Sequence, residues 1–210
     1  MNILVFGASG KTGKLVVEQA LAAGHTVTAF VRDSSKLTLS HSNLKVIKGD
    51  VLDPASVEGA MAGIDAVISA LGPNKASPPD LLERATRHII TAMHKHGVKR
   101  IVAEGGAGAR VPRDSSDFGG RAIGWLLSTL VIPGQVKDKQ KQLELLQNSR
   151  LEFVVVRAPV LTDGPKKGGY TVGYPPMGPG AQISRADIAA AMLEQLTDSK
   201  FLGQAPAIRY

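Results

Sequence analysis

Three glycines lie at three-residue intervals near the start of the chain, at Gly7, Gly10 and Gly13. A β-branched apolar run precedes them and a segment with helical apolar spacing follows, so the pattern predicts a strand, a tight turn and a helix. In such a turn the first glycine permits the bend, the second lets a pyrophosphate approach the backbone, and the third lets the helix pack against the strand. Free N–H groups at the helix N-terminus then bind the phosphates. A glycine turn without a ligand is the alternative.

The end of the second predicted strand determines which dinucleotide fits. A site for NAD places an acid about twenty residues past the glycines, where it accepts a hydrogen bond from the ribose 2′-OH. This chain has Arg32 there, and Ser35 follows, so the neighbourhood suits a 2′-phosphate. Asp33 lies between them and could still turn toward the ribose. The sequence favours NADP(H) as the cofactor.

Two further strand ends carry candidate contacts. Segment 49–51 follows the third predicted strand and is suited to bind adenine, and segment 69–72 ends the fourth strand where a dinucleotide crosses the sheet edge. A simple strand-ending loop is the alternative for both. The cofactor contacts expected from these segments and from the glycine turn are Gly7, Ser9, Gly10, Lys11, Thr12, Gly13, Arg32, Ser35, Asp50, Val51, Ala70, Leu71 and Gly72.

Strands and helices must alternate along the chain to position these residues. The apolar pattern predicts strands at 2–6, 26–31, 44–47, 66–71, 100–103 and 153–157, and helices at 14–23, near 54, 81–96, 136–149 and 185–196. Continuous apolar strands indicate a parallel sheet that is covered on both faces. We therefore expect a Rossmann-like doubly wound α/β fold.

We expect a single domain with a core over 1–157 and a small extension on the substrate side over 158–210. The run 205–208 is predicted as an edge strand. Segment 111–133 interrupts the alternation, either as an amphipathic covering helix or as a mobile substrate lid.

Composition narrows the classes of partner. The 210 residues carry a net charge of +7 and no cysteine, which excludes disulfides, thiolate metal sites and a cysteine nucleophile. Aromatics make up only 4% and the basic residues are scattered, so we expect no nucleic-acid partner. The longest charge-free apolar stretch, 122–136, is too short for a membrane span. No metal site is expected, since His94 and His96 point to different helix faces. We expect a cytoplasmic protein, monomeric or weakly dimeric.

The motifs together resemble the NmrA-like atypical short-chain dehydrogenases, and within them the biliverdin-IXβ reductase and flavin reductase type. The resemblance covers nearly the whole chain and rests on segments 7–13, 31–33, 49–51, 65–69, 105–108, 155–159, 161–164, 169–172 and 183–188. It implies that NADPH binds across the sheet edge, near Gly105, Gly106 and Pro159. It also implies hydride transfer to flavins, quinones or open-chain tetrapyrroles, although other members of the family only sense the cofactor.

The chain departs from the family where polar groups are expected. None of its three tyrosines has a lysine four residues later, so the Tyr-x-x-x-Lys pair is absent. The resemblance puts Lys139 at the lysine position and Gln135 at the tyrosine position. Gly106 replaces a serine and Val160 replaces a histidine. Lys139 remains as a catalytic candidate, and Glu104, at the end of the fifth predicted strand, is a second one because its carboxyl could titrate at a high pH. A structural hydrogen bond from Glu104 to the following glycine loop is the alternative.

These departures favour an acceptor that needs little help from a protein acid. Flavins and quinones delocalise the incoming charge, whereas an isolated ketone requires a positioned proton donor. We expect a planar conjugated acceptor, and an anionic one because the chain is basic. Its predicted contacts are Arg110, Trp125 and Tyr170. The expected activity is NADPH-dependent reduction, and a catalytically idle NADP(H)-binding regulator is the alternative.

Overall fold

Strand β1 (Asn2–Phe6) is buried at four of its five residues, with side chains packed on both faces. The computed structural model describes residues 1–74, 76–114, 133–178 and 180–210 of the chain. The remaining described strands are β2 (Thr26–Val31), β3 (Leu44–Lys48), β4 (Ala66–Ser69), β5 (Arg100–Gly106), β6 (Glu152–Ala158), β7 (Val160–Thr162), β8 (Thr171–Gly173), β9 (Gln182–Ser184) and β10 (Ala207–Arg209). The described helices are α1 (Lys11–Ala22), α2 (Pro54–Gly59), α3 (Leu81–His96), α4 (Pro133–Gln147) and α5 (Arg185–Glu194).

Eight strands form the main sheet in the order β3-β2-β1-β4-β5-β6-β10-β8, and β7 pairs with β9 separately. The main sheet is parallel except for β8, which runs antiparallel to β10. From β1 the chain adds strands first on one side and then on the other, so the order reverses between β1 and β4. The doubly wound Rossmann-like fold is therefore confirmed, and such a reversal is where these folds bind ligands.

Two apolar cores cover the faces of the sheet. Alternate residues of β1 divide between them: Ile3 and Val5 pack under α1 and α5, whereas Leu4 and Phe6 pack under α3 and α4. Elements on both sides of residue 158 share the first core, because α5 lies against α1 and β10 pairs with β6.

The structure differs from the predicted boundaries mainly at the site and after it. Strand β5 continues three residues past Ala103, because Glu104 to Gly106 pair in register with β6. The prediction of an edge strand near 205–208 is wrong, since β10 lies between β6 and β8. Three-residue strands β7, β8 and β9 lie where the Gly/Pro-rich sequence indicated only loops.

Most of segment 111–133, for which a covering helix or a lid was predicted, lies outside the described residues. Its first residues are held by Arg157, which is fully buried and donates two hydrogen bonds to the Asp114 carboxylate. Within the described ranges, no helix has the length and apolar character that crossing a bilayer requires. Nor do three acidic or histidine side chains gather there in a group that could hold a metal ion.

Candidate functional site

The glycine turn lies at the reversal of strand order, directly after β1. Gly7 has a positive φ of 77°, and a Cβ there would lie 2.6 Å from the carbonyl oxygen of Ala70 at the end of β4. A Cβ on Gly13 would lie 2.1 Å from the carbonyl oxygen of Gly7. Both positions therefore require glycine, and the two glycines let the start of α1 lie close against the sheet edge.

Gly10 stands at the N-cap of α1 and leaves the helix N-terminus uncapped. No side chain caps it, and the first turn carries no acidic residue. A Cβ on Gly10 would meet one described atom within 4 Å, the Gly7 carbonyl oxygen at 3.1 Å. An uncapped, glycine-lined helix start offers backbone donors and a positive dipole end to an anion. The arrangement fits the pyrophosphate of a dinucleotide.

At the end of β2 the two charged candidates have different surroundings. Arg32 is exposed. The carboxylate of Asp33 instead turns into its own loop, accepting from the backbone N–H of Ser35 at 3.1 Å and from the Ser35 hydroxyl at 2.7 Å. These two hydrogen bonds hold the pKa of Asp33 below its usual range. The acid that could have accepted a ribose 2′-OH is thus engaged locally.

The ends of β3 and β4 carry the next candidate contacts, and the end of β4 lies against Gly7. Asp50 is exposed and its carboxylate accepts from the backbone N–H two residues later at 2.9 Å. Val51 is buried in the core beside Phe30. Segment 70–72 runs from a buried alanine to an exposed glycine. Just before it, the Ser69 hydroxyl is buried without a hydrogen-bond partner among the described residues.

Glu104 is a buried carboxyl on β5, with only 9% of its surface exposed. Burial raises its pKa above the usual range, and the nearby Lys139 ammonium, a hydrogen bond from the Thr12 hydroxyl and the Arg185 guanidinium oppose that shift. Thr12 belongs to the first turn of α1, Lys139 to α4 and Arg185 to α5. Charged and polar groups of three helices thus act on the Glu104 carboxyl, and burial favours its neutral form.

Lys139 extends over the end of β5. A Cβ placed on Gly106 would lie 2.7 Å from its Cδ and 2.9 Å from its Nζ. A glycine at position 106 thus makes room for the lysine side chain. Gly105 is tight for another reason, because a Cβ there would meet Val155 Cγ1 at 2.6 Å. Pro159 is half-buried directly after β6, whose last residue pairs with Gly106.

An ion-pair cluster that the sequence did not indicate begins at Lys11, the first residue of α1. The carboxylate of Asp163 accepts from Lys11 Nζ at 2.8 Å and from Arg185 Nη1 at 2.5 Å. The pKa of Asp163 falls below its usual range, chiefly because of the Lys11 hydrogen bond. These three residues lie far apart in sequence, and only the approach of α1 to α5 brings them together.

The predicted acceptor contacts are not gathered at one place. Arg110 is exposed, and its backbone N–H donates to Gln140 Oε1 at 2.9 Å. The hydroxyl of Tyr170 donates to Glu194 at 2.9 Å, at the last residue of α5 and therefore at the end of the helix remote from Arg185. Its contact thus does not support the predicted acceptor role. Trp125 lies outside the described residues.

A doubly wound sheet with an uncapped glycine turn at its strand reversal defines a dinucleotide-binding Rossmann protein. Residues 7–199 match the family described as NAD(P)H-binding, and the chain belongs to that family. It binds NAD(P)H through the fold described above.

Relatives identified by sequence cover different shares of the chain. The uncharacterized protein YwnB of Bacillus subtilis is 27% identical over 93% of this chain and 92% of its own length. The photosystem II assembly factor Ycf39 of Synechocystis is 32% identical over 49% of this chain, which spans only 32% of that protein. Cinnamoyl-CoA reductase 1 of Oryza sativa is 32% identical over 51% of the chain and 35% of its own length.

Solved structures share the fold over the whole chain. ChuY, an anaerobilin reductase from Escherichia coli O157:H7, superposes with a TM-score of 0.81 at 23% identity, covering 100% of this chain and 97% of that one. A short-chain dehydrogenase/reductase from Veillonella parvula in complex with NADP gives 0.80 at 19% identity, covering 100% and 94%. At these identities the likeness concerns the fold. The relatives and structural neighbours named for a reaction include several reductases.

Proposed function

We propose that this protein is an NADPH-dependent reductase that transfers a hydride to a planar conjugated acceptor, such as a flavin, a quinone or an open-chain tetrapyrrole. The observation that carries the proposal is the placement of Lys139 over Gly106, two residues past the buried Glu104, at the sheet edge where these folds bind ligands. The resemblance to the biliverdin-IXβ reductase and flavin reductase type supports the same class of acceptor, and the likeness to ChuY is consistent with a tetrapyrrole.

The preference for NADPH rests on the end of β2. Arg32 is exposed and available to a 2′-phosphate, whereas Asp33 is engaged by Ser35. A guanidinium binds a phosphate through charge-assisted hydrogen bonds, and one oxygen of the neighbouring Asp33 carboxylate is already occupied by Ser35. NADH lacks the 2′-phosphate and would leave Arg32 without that partner.

When bound, NADPH supplies the hydride, and the chain's own residues bind, orient and balance charge. The uncapped start of α1 would hold the pyrophosphate, and the Lys139 ammonium would hold the nicotinamide ribose, the role that the resemblance implies. Burial raises the pKa of Glu104 on β5, which favours its neutral form. The acceptor gains two electrons with the hydride, and its proton comes from solvent.

No tyrosine in the chain is placed to donate that proton. Each of the three tyrosine hydroxyls donates to a side chain elsewhere: Tyr170 to Glu194, Tyr174 to Gln204 and Tyr210 to Asp187. Burial, and then the bond to Glu194, raise the pKa of Tyr170 well above its usual range. A delocalised acceptor suits such a site, because the charge it gains need not be neutralised at one atom.

The lack of a tyrosine placed as proton donor also favours the second candidate, a regulator that binds NADP(H) without turnover. Steady anaerobic oxidation of NADPH with a flavin, quinone or tetrapyrrole, but not with a simple ketone, is the result expected of the reductase. Lys139→Ala should lower the rate of NADPH oxidation. Lys141→Ala is the matched control, since Lys141 lies on the same helix and pairs outward with Glu144 at 2.8 Å. Tight NADPH binding without oxidation of any acceptor would overturn the reductase in favour of the regulator.

A further inference from the structure

Asp138 is a buried carboxylate on α4 that holds the start of a different helix. Its side chain is almost wholly enclosed, with 4% of the residue exposed. Its two oxygens accept from the backbone N–H groups of Leu82 and Glu83, each at 2.8 Å. The residue at the N-cap of α3, Asp80, makes no capping hydrogen bond with its own side chain. Asp138 therefore supplies the cap of α3 from the neighbouring helix.

Lys139 follows Asp138 directly. Gln140, the next residue, makes a second hydrogen bond from this part of α4 to a neighbouring segment. Gln140 accepts from the backbone N–H of Arg110, in the loop that follows β5, at 2.9 Å. Three consecutive residues thus tie α4 to α3, extend over Gly106, and tie α4 to the loop after β5. Lys139 therefore lies between two residues that are hydrogen-bonded to different segments, Asp138 to α3 and Gln140 to the loop after β5.

Apolar contacts alone would not fix the lysine so closely. Leu143 and Leu146 hold α4 against the sheet through the second core, but hydrophobic burial is non-directional and tolerates small slides and rotations of a helix. The paired bonds to Asp138 have defined lengths and directions, so they set the register of α4 against α3. A displacement of about 1 Å in a site can cost up to about a hundredfold in rate.

We propose that Asp138 is a positioning residue for Lys139: by capping α3 from α4, it fixes where the lysine ammonium lies at the end of β5. The inference rests on the proposed function for the role of Lys139 in holding the cofactor. It adds a residue that touches neither cofactor nor acceptor but determines the geometry of one that does.

Asp138→Asn tests the proposal, because asparagine has the same shape but keeps only one oxygen to accept two N–H groups. We expect the Kd for NADPH, measured by titration, to rise about tenfold, comparable with Lys139→Ala. In the double variant the two losses should not add, since removing the lysine removes what Asp138 positions. Where Asp138→Asn fails to fold, Asp138→Ser retains one accepting oxygen and replaces it in the same cycle.

Ser149→Ala is the matched control for loosening α4. Ser149 is buried just past the other end of the helix, where its hydroxyl donates to the Leu146 carbonyl and accepts from the Leu151 N–H. This change should lower the free energy of unfolding without altering NADPH affinity. A loss of stability in Asp138→Asn with unchanged affinity, or losses that add in the double variant, would overturn the positioning role. Because the readout is binding, it remains decisive even if no acceptor is ever reduced.

Discussion

The buried carboxyl of Glu104 links the protonation of one residue to the stability of the fold. Burial raises the pKa of Glu104, so between the unfolded and folded values the native protein binds more protons than the unfolded chain. The stability that this group contributes is present at low pH and is lost as the pH rises through that window. Above it, burial of the charged carboxylate is a cost.

Glu104→Gln should remove this pH dependence. The free energy of unfolding of the variant, relative to the natural protein, should increase with pH from about 4.3 upward, by at most about 1.4 kcal/mol per pH unit. Denaturant titrations of both proteins across this range measure the difference. A difference that is constant with pH would mean that Glu104 titrates alike in the folded and unfolded chains.

Arg32 carries the prediction about cofactor choice. Charge-assisted hydrogen bonds to a phosphate contribute roughly 1.5–3 kcal/mol, or about 10- to 150-fold in affinity. Arg32→Ala should remove most of the preference for NADPH over NADH in paired titrations. Lys99→Ala, which removes the same charge just before β5 at the opposite end of the strands, should leave the preference intact. Equal affinities for both cofactors in the natural protein would refute the assignment.

At the scale of the element, two glycines of the same turn are expected to affect different properties, Gly10 cofactor binding and Gly13 folding. A Cβ on Gly10 would meet only the Gly7 carbonyl oxygen, at 3.1 Å, whereas a Cβ on Gly13 would lie 2.1 Å from the same atom. Gly10→Ala should therefore fold and lose cofactor affinity by about tenfold or more, since the methyl group occupies the approach to the backbone. Gly13→Ala should lose stability, by at least about 1–3 kcal/mol, because backbone must move.

Thermal unfolding and NADPH titration of the two variants distinguish these effects. Near-native stability with weakened binding is expected for Gly10→Ala, and reduced stability is expected for Gly13→Ala. If Gly10→Ala kept native affinity while folded, the turn would not be the phosphate site.

The elements that the sequence predicted well are those whose signal is local. Strand β2 and helix α3 have the predicted bounds, because apolar runs and the capping Gly97 mark them directly. The extension of β5 through Glu104 to Gly106 was missed, since an acid and two glycines carry no strand propensity and are paired only because β6 lies alongside. Strands β7 and β9 were missed for a different reason, because each is only three residues long and its partner lies about twenty residues away in sequence.

At the scale of the molecule, the site likewise has parts that the sequence predicts and parts that only the folded chain brings together. The turn at Gly7 could be read from spacing, because its chemistry is contained in consecutive residues. The neighbours of Glu104 could not, since Thr12, Lys139 and Arg185 reach it from three helices. The role of Asp138 likewise depends on α3 and α4 lying side by side, which no local pattern encodes.

The arrangement of the whole chain leads to the last prediction, that turnover does not depend on a tyrosine. The hydroxyls of Tyr170 and Tyr174 are engaged at Glu194 and Gln204 rather than at Lys139. Tyr170→Phe and Tyr174→Phe should each change kcat by less than about tenfold, equivalent to roughly 1.4 kcal/mol of barrier. Steady-state rates with a flavin or quinone acceptor, together with NADPH titrations, measure this. A thousandfold loss, about 4 kcal/mol, at unchanged cofactor affinity would identify that tyrosine as a proton donor and would require a conformation in which its hydroxyl leaves its present partner.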